Sequence, residues 1–190
     1  HERSGVDPHA RMDPAHAANW FDMIAVELVK ADPDNIETYT ANAIAAKHHF
    51  GAPVVVVDFG TAVTFDVVNG KGNYVGGIIA PGLAAMTDYL HEKTALLPKI
   101  KIREVSAAIG KNTEQAMLIG AVHGYRGLIR ELVSKLKDEL NCAHLPVIAT
   151  GGYAKLIARK LPEIVAVDPL LTVEGLRLAW ENSARPKAIV

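Results

Sequence analysis

Four valines in a row at 54–57, running straight into Asp58-Phe59-Gly60, constrain this chain more than any other feature. An unbroken β-branched run has no polar side to offer water, so it is expected as a strand buried on both faces of a sheet. Such a strand needs covering layers, and the remaining sequence can supply them. Trp20, Phe21, Ile24, Ala25, Leu28 and Val29 recur at helical spacing over 17–30, and alanine-rich 40–50 reads as a second helix ended by Gly51 and Pro53. Beyond the valines, 63–68 and 74–80 read as strands parted by Asn69-Gly70 and Lys71-Gly72. Pro81-Gly82 opens a helix over about 83–91. A connection around 97–106 leads to the longest helix, capped by Asn112 or Thr113 and continuous to Asn141 on the spacing of Leu118, Val122, Tyr125, Ile129 and Val133. A strand at 146–150, a helix at 154–160, a strand at 164–167 and a helix at 172–182 follow. Strands mixed with helices in this way imply an α/β layer fold.

Composition excludes several roles. The 190 residues carry 20 basic and 21 acidic side chains, a net charge of -1, which leaves no electrostatic footprint for nucleic acid or an anionic membrane. No apolar run approaches the ~20 residues of a membrane-spanning helix, and no signal-peptide pattern opens the chain. Cys142 is the one cysteine, so no internal disulfide can form, and a reducing cytoplasm is the expected setting. Residues 1–35 begin at His1, open on a polar, proline-bearing stretch, and are expected to be an atypical N-terminal segment, a remnant or a tag-derived start. Residues 36–190 are expected to form one lobe.

Three places could carry chemistry. In Asp58-Phe59-Gly60-Thr61-Ala62-Val63-Thr64 a buried strand ends at a carboxylate, and a glycine turn flanked by the Thr61 and Thr64 hydroxyls follows at once. Gly60 would let backbone amides approach a phosphate, the hydroxyls add donors, and Asp58 could hold a cation or a bridging water. The same residues also suit a plain hairpin whose polar groups satisfy local backbone. In Ala149-Thr150-Gly151-Gly152-Tyr153 a strand breaks at a double glycine before a helix, an arrangement that can present amides to a ligand but is common in any fold. In Gly110-Lys111-Asn112-Thr113, the Thr113 hydroxyl could face a substrate or simply cap the helix. Gly120, Gly124 and Gly127 on that helix suggest close approach of another backbone, within the chain or across a dimer. His48-His49 point about 100° apart on a helix, with no Cys or Glu to complete a metal site, and read as structural.

Taken in order, VVVVDFGTAVTFDVV, GGIIAPGL, TALLPK, IGKNTEQAMLIGAVHGYRGLI, VIATGGYAKLIA and VDPLLTVEGLRLAWEN resemble successive segments of type III pantothenate kinases, over about Thr40 to Asn182. The resemblance implies a ribonuclease H-like, actin-like ATPase lobe, a mixed sheet flanked by helices, with the N-terminal lobe incomplete. It implies phosphoryl transfer from ATP to pantothenate, the first step of coenzyme A synthesis, by a homodimer using Mg²⁺ and a monovalent cation (K⁺ or NH₄⁺). On this resemblance Asp58 corresponds to the monovalent-cation ligand. Thr61, with Gly60 and Thr64, corresponds to the phosphate turn, Gly151 and Gly152 to the nucleotide-side loop, and Thr113 to a pantothenate contact. Two departures accompany it. The family's Asp-x-Gly-Asn-Thr phosphate motif occurs nowhere in the 190 residues. Its Gly-Ala-Asp-Arg segment, which carries the general base, aligns with Ile36-Glu37-Thr38-Tyr39, so Thr38 takes the base position. A degenerate or truncated binding or dimerisation module of the same fold is the alternative expectation.

Overall fold

The computed structural model describes residues 41–183. The helix expected over 17–30, the segment 1–35 and Thr38 lie outside them.

The valine strand is the middle of the sheet. Strand β1 (Val54–Phe59) pairs antiparallel with β2 (Ala62–Val68), which pairs antiparallel with β3 (Tyr74–Pro81). On its other side β1 lies parallel to β4 (Val147–Thr150), and β4 parallel to β5 (Ile164–Val167). The order is β3-β2-β1-β4-β5 with β2 alone reversed, the arrangement of a ribonuclease H-like lobe of the actin-like ATPase fold, as expected.

Helices cover both faces. Val55, Val57 and Phe59 of β1 face α4 (Tyr125–Glu139) and α5 (Ala154–Ala158), meeting Tyr125, Ile129 and Ile157. Val54 and Val56 face the opposite layer, where α1 (Ala41–Phe50) and α6 (Leu171–Ser183) supply Ala43, Ala46, Leu171 and Leu178. All four valines are fully buried. Each contributes about 1.5–3 kcal/mol by leaving water, and a one-residue slip would drive Asp58 into the other apolar layer. The register that positions the acid is therefore held by the valines.

The long helix differs from expectation. It consists of α3 (Thr113–Ile119), a π turn over Gly120–Gly124, and α4. The apolar spacing stays in phase across the turn, but the partner changes. Met117, Leu118 and Val122 pack on Ile100 and its neighbours Leu97, Ile102 and Val105, whereas Tyr125 onward packs on the sheet. A wider turn between two partners re-aims the helix without ending it.

A basic side chain is built into this interior. Arg126 is 4% exposed and grips Glu104 through two nitrogens, at 3.0 and 2.7 Å. It also donates to the carbonyls of Leu156 and Ile157, at 2.7 and 3.3 Å. Those carbonyls end the short helix α5, where regular helix bonding stops and Lys160 N reaches Ile157 O only at 3.5 Å. Arg126 thus ties the irregular connection before α3, helix α4 and helix α5 together.

Candidate functional site

Alternation along β1 decides where its acid points. Because Val54 and Val56 face α1 and α6, Asp58 faces them too. The register sets Thr64 of β2 opposite Asp58 on one side and Thr150 of β4 beside it on the other. Thr64 shares its face with Val68, and Thr150 with Ile148, both of which belong to the α1/α6 layer. A row Thr64–Asp58–Thr150 therefore crosses three neighbouring strands on one face, at the end where β1 and β4 stop. Side chains so paired lie about 5 Å apart at Cβ.

The Asp58 carboxylate has two walls. Its Oδ2 accepts from Asn42 Nδ2 at 3.4 Å, and Asn42 Oδ1 accepts from Thr172 Oγ1 at 2.7 Å. Its Oδ1 lies against Gly151, where an added Cβ would sit 2.5 Å from it and 2.7 Å from the Phe59 backbone. Gly151 also has φ +89°, a conformation that side chains other than glycine adopt at a cost. Gly152 has open space where its Cβ would be. The amides of Tyr153 and Ala154 turn inward, to Phe59 O at 3.4 Å and Gly151 O at 3.2 Å. This leaves the Gly151-Gly152 backbone as the open part of the turn.

Burial pushes the Asp58 carboxyl above its ordinary value, and the Asn42 hydrogen bond only partly opposes that. A half-buried carboxylate with a single long side-chain hydrogen bond among the described residues is short of positive charge, which is the condition a bound cation relieves. Its hard oxygen donors suit an alkali or alkaline-earth ion. Among the described residues no group of three His, Cys, Asp or Glu could hold a metal. A magnesium ion here would thus depend on phosphate oxygens and water, as is usual for that ion.

The other expected residues are placed as follows. Gly60 and exposed Thr61 form the β1–β2 turn, and the Thr61 carbonyl accepts from Gly82 N at 3.1 Å, tying the turn to the start of α2 (Leu83–Lys93). Asn112, not Thr113, caps α3, accepting from Gln115 N at 2.9 Å. The exposed Thr113 hydroxyl is thereby spared capping. No hydrogen bond joins it to the strand-end row among the described residues. Thr150, Asn42 and Thr172 are members of the cluster that sequence reasoning did not single out as a set. Asn42 carried a signal: it is the one polar residue among the buried positions of α1.

Residues 39–135 match the family model for type III pantothenate kinase. A second model, zinc-uptake complex component A, periplasmic, matches 1–52, of which only 41–52 are described. The type III pantothenate kinase of Methylacidiphilum infernorum is 51% identical over 142 residues, 74% of this chain and 52% of that protein. That of Akkermansia muciniphila is 55% identical over 139 residues, 73% of this chain and 57% of its own length. The chain spans about half the length of these curated relatives. Among solved structures, a conserved putative Baf family transcriptional activator from Campylobacter jejuni superposes with a TM-score of 0.54 at 24% identity. The match covers 76% of this chain and 65% of the other and shows likeness of fold.

Proposed function

Since this chain belongs to the type III pantothenate kinase family, we propose that it carries the phosphoryl-transfer lobe of such an enzyme, moving the γ-phosphate of ATP to the primary hydroxyl of pantothenate. The observation that carries the reading is the Thr64–Asp58–Thr150 row beside the Thr61 turn. Phosphoryl transfer asks a protein mainly to position reactants and neutralise charge. On this reading Gly60, Thr61 and Thr64 donate to phosphate oxygens, and Gly151 and Gly152 line the nucleotide side. Asp58 holds K⁺ or NH₄⁺, Mg²⁺ rides on the phosphates, and Thr113 contacts pantothenate. On the same reading the lobe is assigned to residues 36–190, 1–35 count as an atypical N-terminal segment, and the setting is the cytoplasm.

A coupled assay with ATP, pantothenate, Mg²⁺ and K⁺ tests this. Turnover should fall about 10²–10³-fold in Thr61→Ala, the usual cost of one donor aimed at developing charge. Equal rates in the two proteins would overturn the assignment. A second reading, a binding module without turnover, is favoured by Thr38 at the base position, since a neutral hydroxyl is a poor base near pH 7. Calorimetry detecting pantothenate binding in a chain with no turnover would select it.

A homodimer fits the outer surface. An apolar groove of about 900 Å³ runs between α2 and α3, lined by Pro81, Met86, Met117, Gly120 and Ala121. Gly120, Gly124 and Gly127 have open space at their Cβ positions, so the close backbone approach expected there does not come from the described residues of this chain. A second copy would provide it. Gly120→Arg should convert the dimer to a monomer in sedimentation velocity while leaving the far-ultraviolet circular dichroism of the folded chain unchanged.

A further inference from the structure

We propose that Asn42 and Thr172 are positioning residues for Asp58, forming a hydroxyl–amide–carboxylate relay that aims the acid toward the ligand. The relay's purpose rests on the reading of Asp58 as a cation-holding group.

The argument begins with hydrogen-bond polarity. An ionised carboxylate only accepts, so the Asn42 amide must turn its NH₂ toward Asp58 and its carbonyl away. The carbonyl then needs a donor, and Thr172 Oγ1 provides one at 2.7 Å. Without it, a nearly buried amide oxygen (Asn42 is 9% exposed) would be left unpaired, and the amide would be held at one end only, by its 3.4 Å bond to Asp58. Asp58 therefore selects the amide orientation and Thr172 holds it, which steadies Oδ2, while Gly151 bounds Oδ1.

The frame around the relay is rigid enough to make this selection meaningful. Gly175 of α6 packs directly on the backbone of Ala41, so tightly that no Cβ would fit. That contact sets the spacing of α1 and α6 next to both relay residues. His49 and Glu174 approach to 3.7 Å farther along α1. Neither Asn42 nor Thr172 is needed to hold the helices together, because alanines and leucines fill the contact. A polar pair set among the alanines and leucines between α1 and α6, and joined to the Asp58 carboxylate, is better suited to aiming that acid than to stability.

Two measurements test it. In the ion-free chain, the Asn42 side-chain NH₂ should be protected from hydrogen exchange by NMR in the parent and in Thr172→Ser. Protection should drop about tenfold in Thr172→Val and in Asp58→Ala. Next, the K⁺ concentration giving half of the K⁺-induced thermal stabilisation should rise about tenfold in Thr172→Val and stay within about twofold in Thr172→Ser. Urea midpoints report whether each variant still folds. Unchanged Asn42 protection in Thr172→Val would overturn the relay. Parent-like K⁺ response in a Thr172→Val chain that has lost protection would overturn its role in aiming Asp58. If the parent shows the protection pattern but no K⁺ response, the relay stands and the cation reading alone fails.

Discussion

Arg126→Ala is expected to lower stability by about 3 kcal/mol. Removing one partner of a buried ion pair typically costs ~3–5 kcal/mol, because the other charge is left without compensation. Glu104 keeps 30% exposure and can regain water, which argues for the lower end. The Leu156 carbonyl, which loses its 2.7 Å donor, adds to the loss, whereas Ile157 keeps Lys160 N at 3.5 Å. For a chain of this size the shift in Tm is roughly 6–12 °C. Urea denaturation checks it, and a change within 1 kcal/mol would refute the account of Arg126 as the tie between α4, α5 and the connection before α3. Replacing both partners, Arg126→Met with Glu104→Leu, should recover most of the loss. The pair also sets a pH dependence. The Arg126 hydrogen bond holds the Glu104 carboxyl below its usual range, more than burial raises it. A folded-state value below the unfolded one means that the stabilisation is complete above about pH 4.3 and disappears as pH falls through the folded value. Below that pH the parent should therefore lose stability more steeply than Arg126→Met.

Gly151→Ala carries the second large effect, and Gly152→Ala is its control. At φ +89° an alanine costs about 1–3 kcal/mol from backbone strain alone. Its Cβ would also strike the Asp58 carboxylate, which would have to rotate, and the Phe59 backbone, which cannot move without shifting β1. The variant should be destabilised beyond the strain term and should lose binding of a fluorescent ATP analogue. Gly152→Ala meets nothing within 4 Å and should leave the urea midpoint within about 0.5 kcal/mol. If it nonetheless weakens nucleotide binding, a ligand passes close to that backbone. Equal midpoints for the two variants would contradict the packing of Gly151 on β1.

The contrast between these glycines shows where sequence reasoning stops. The double glycine was legible as a break, but which of the two is squeezed depends on β1 lying alongside, a long-range fact. The valine strand, the hairpin residues and the helices were legible because each has its own period or punctuation. The π turn was not, since Leu118, Val122, Tyr125 and Ile129 keep a spacing that a regular helix also satisfies. Arg126 was hidden because its partner sits in an irregular stretch with no pattern to mark it as covered. At the candidate site, Asp58, Gly60 and Thr61 stand out as a short motif. Thr172 does not, because nothing local distinguishes it from a helix start, and Asn42 shows only as a polar residue in an alanine-rich helix whose buried face is known once α6 is in place.

Thr172 reaches Asn42 across 130 positions of sequence. A ribosome making this chain would deliver β1 and its acid long before α6, so for most of synthesis Asp58 would have no steadied orientation. Contacts of such separation form late and slowly. Nucleotide capture by a nascent or C-terminally clipped chain should accordingly be weak, even with every strand of the sheet already in place.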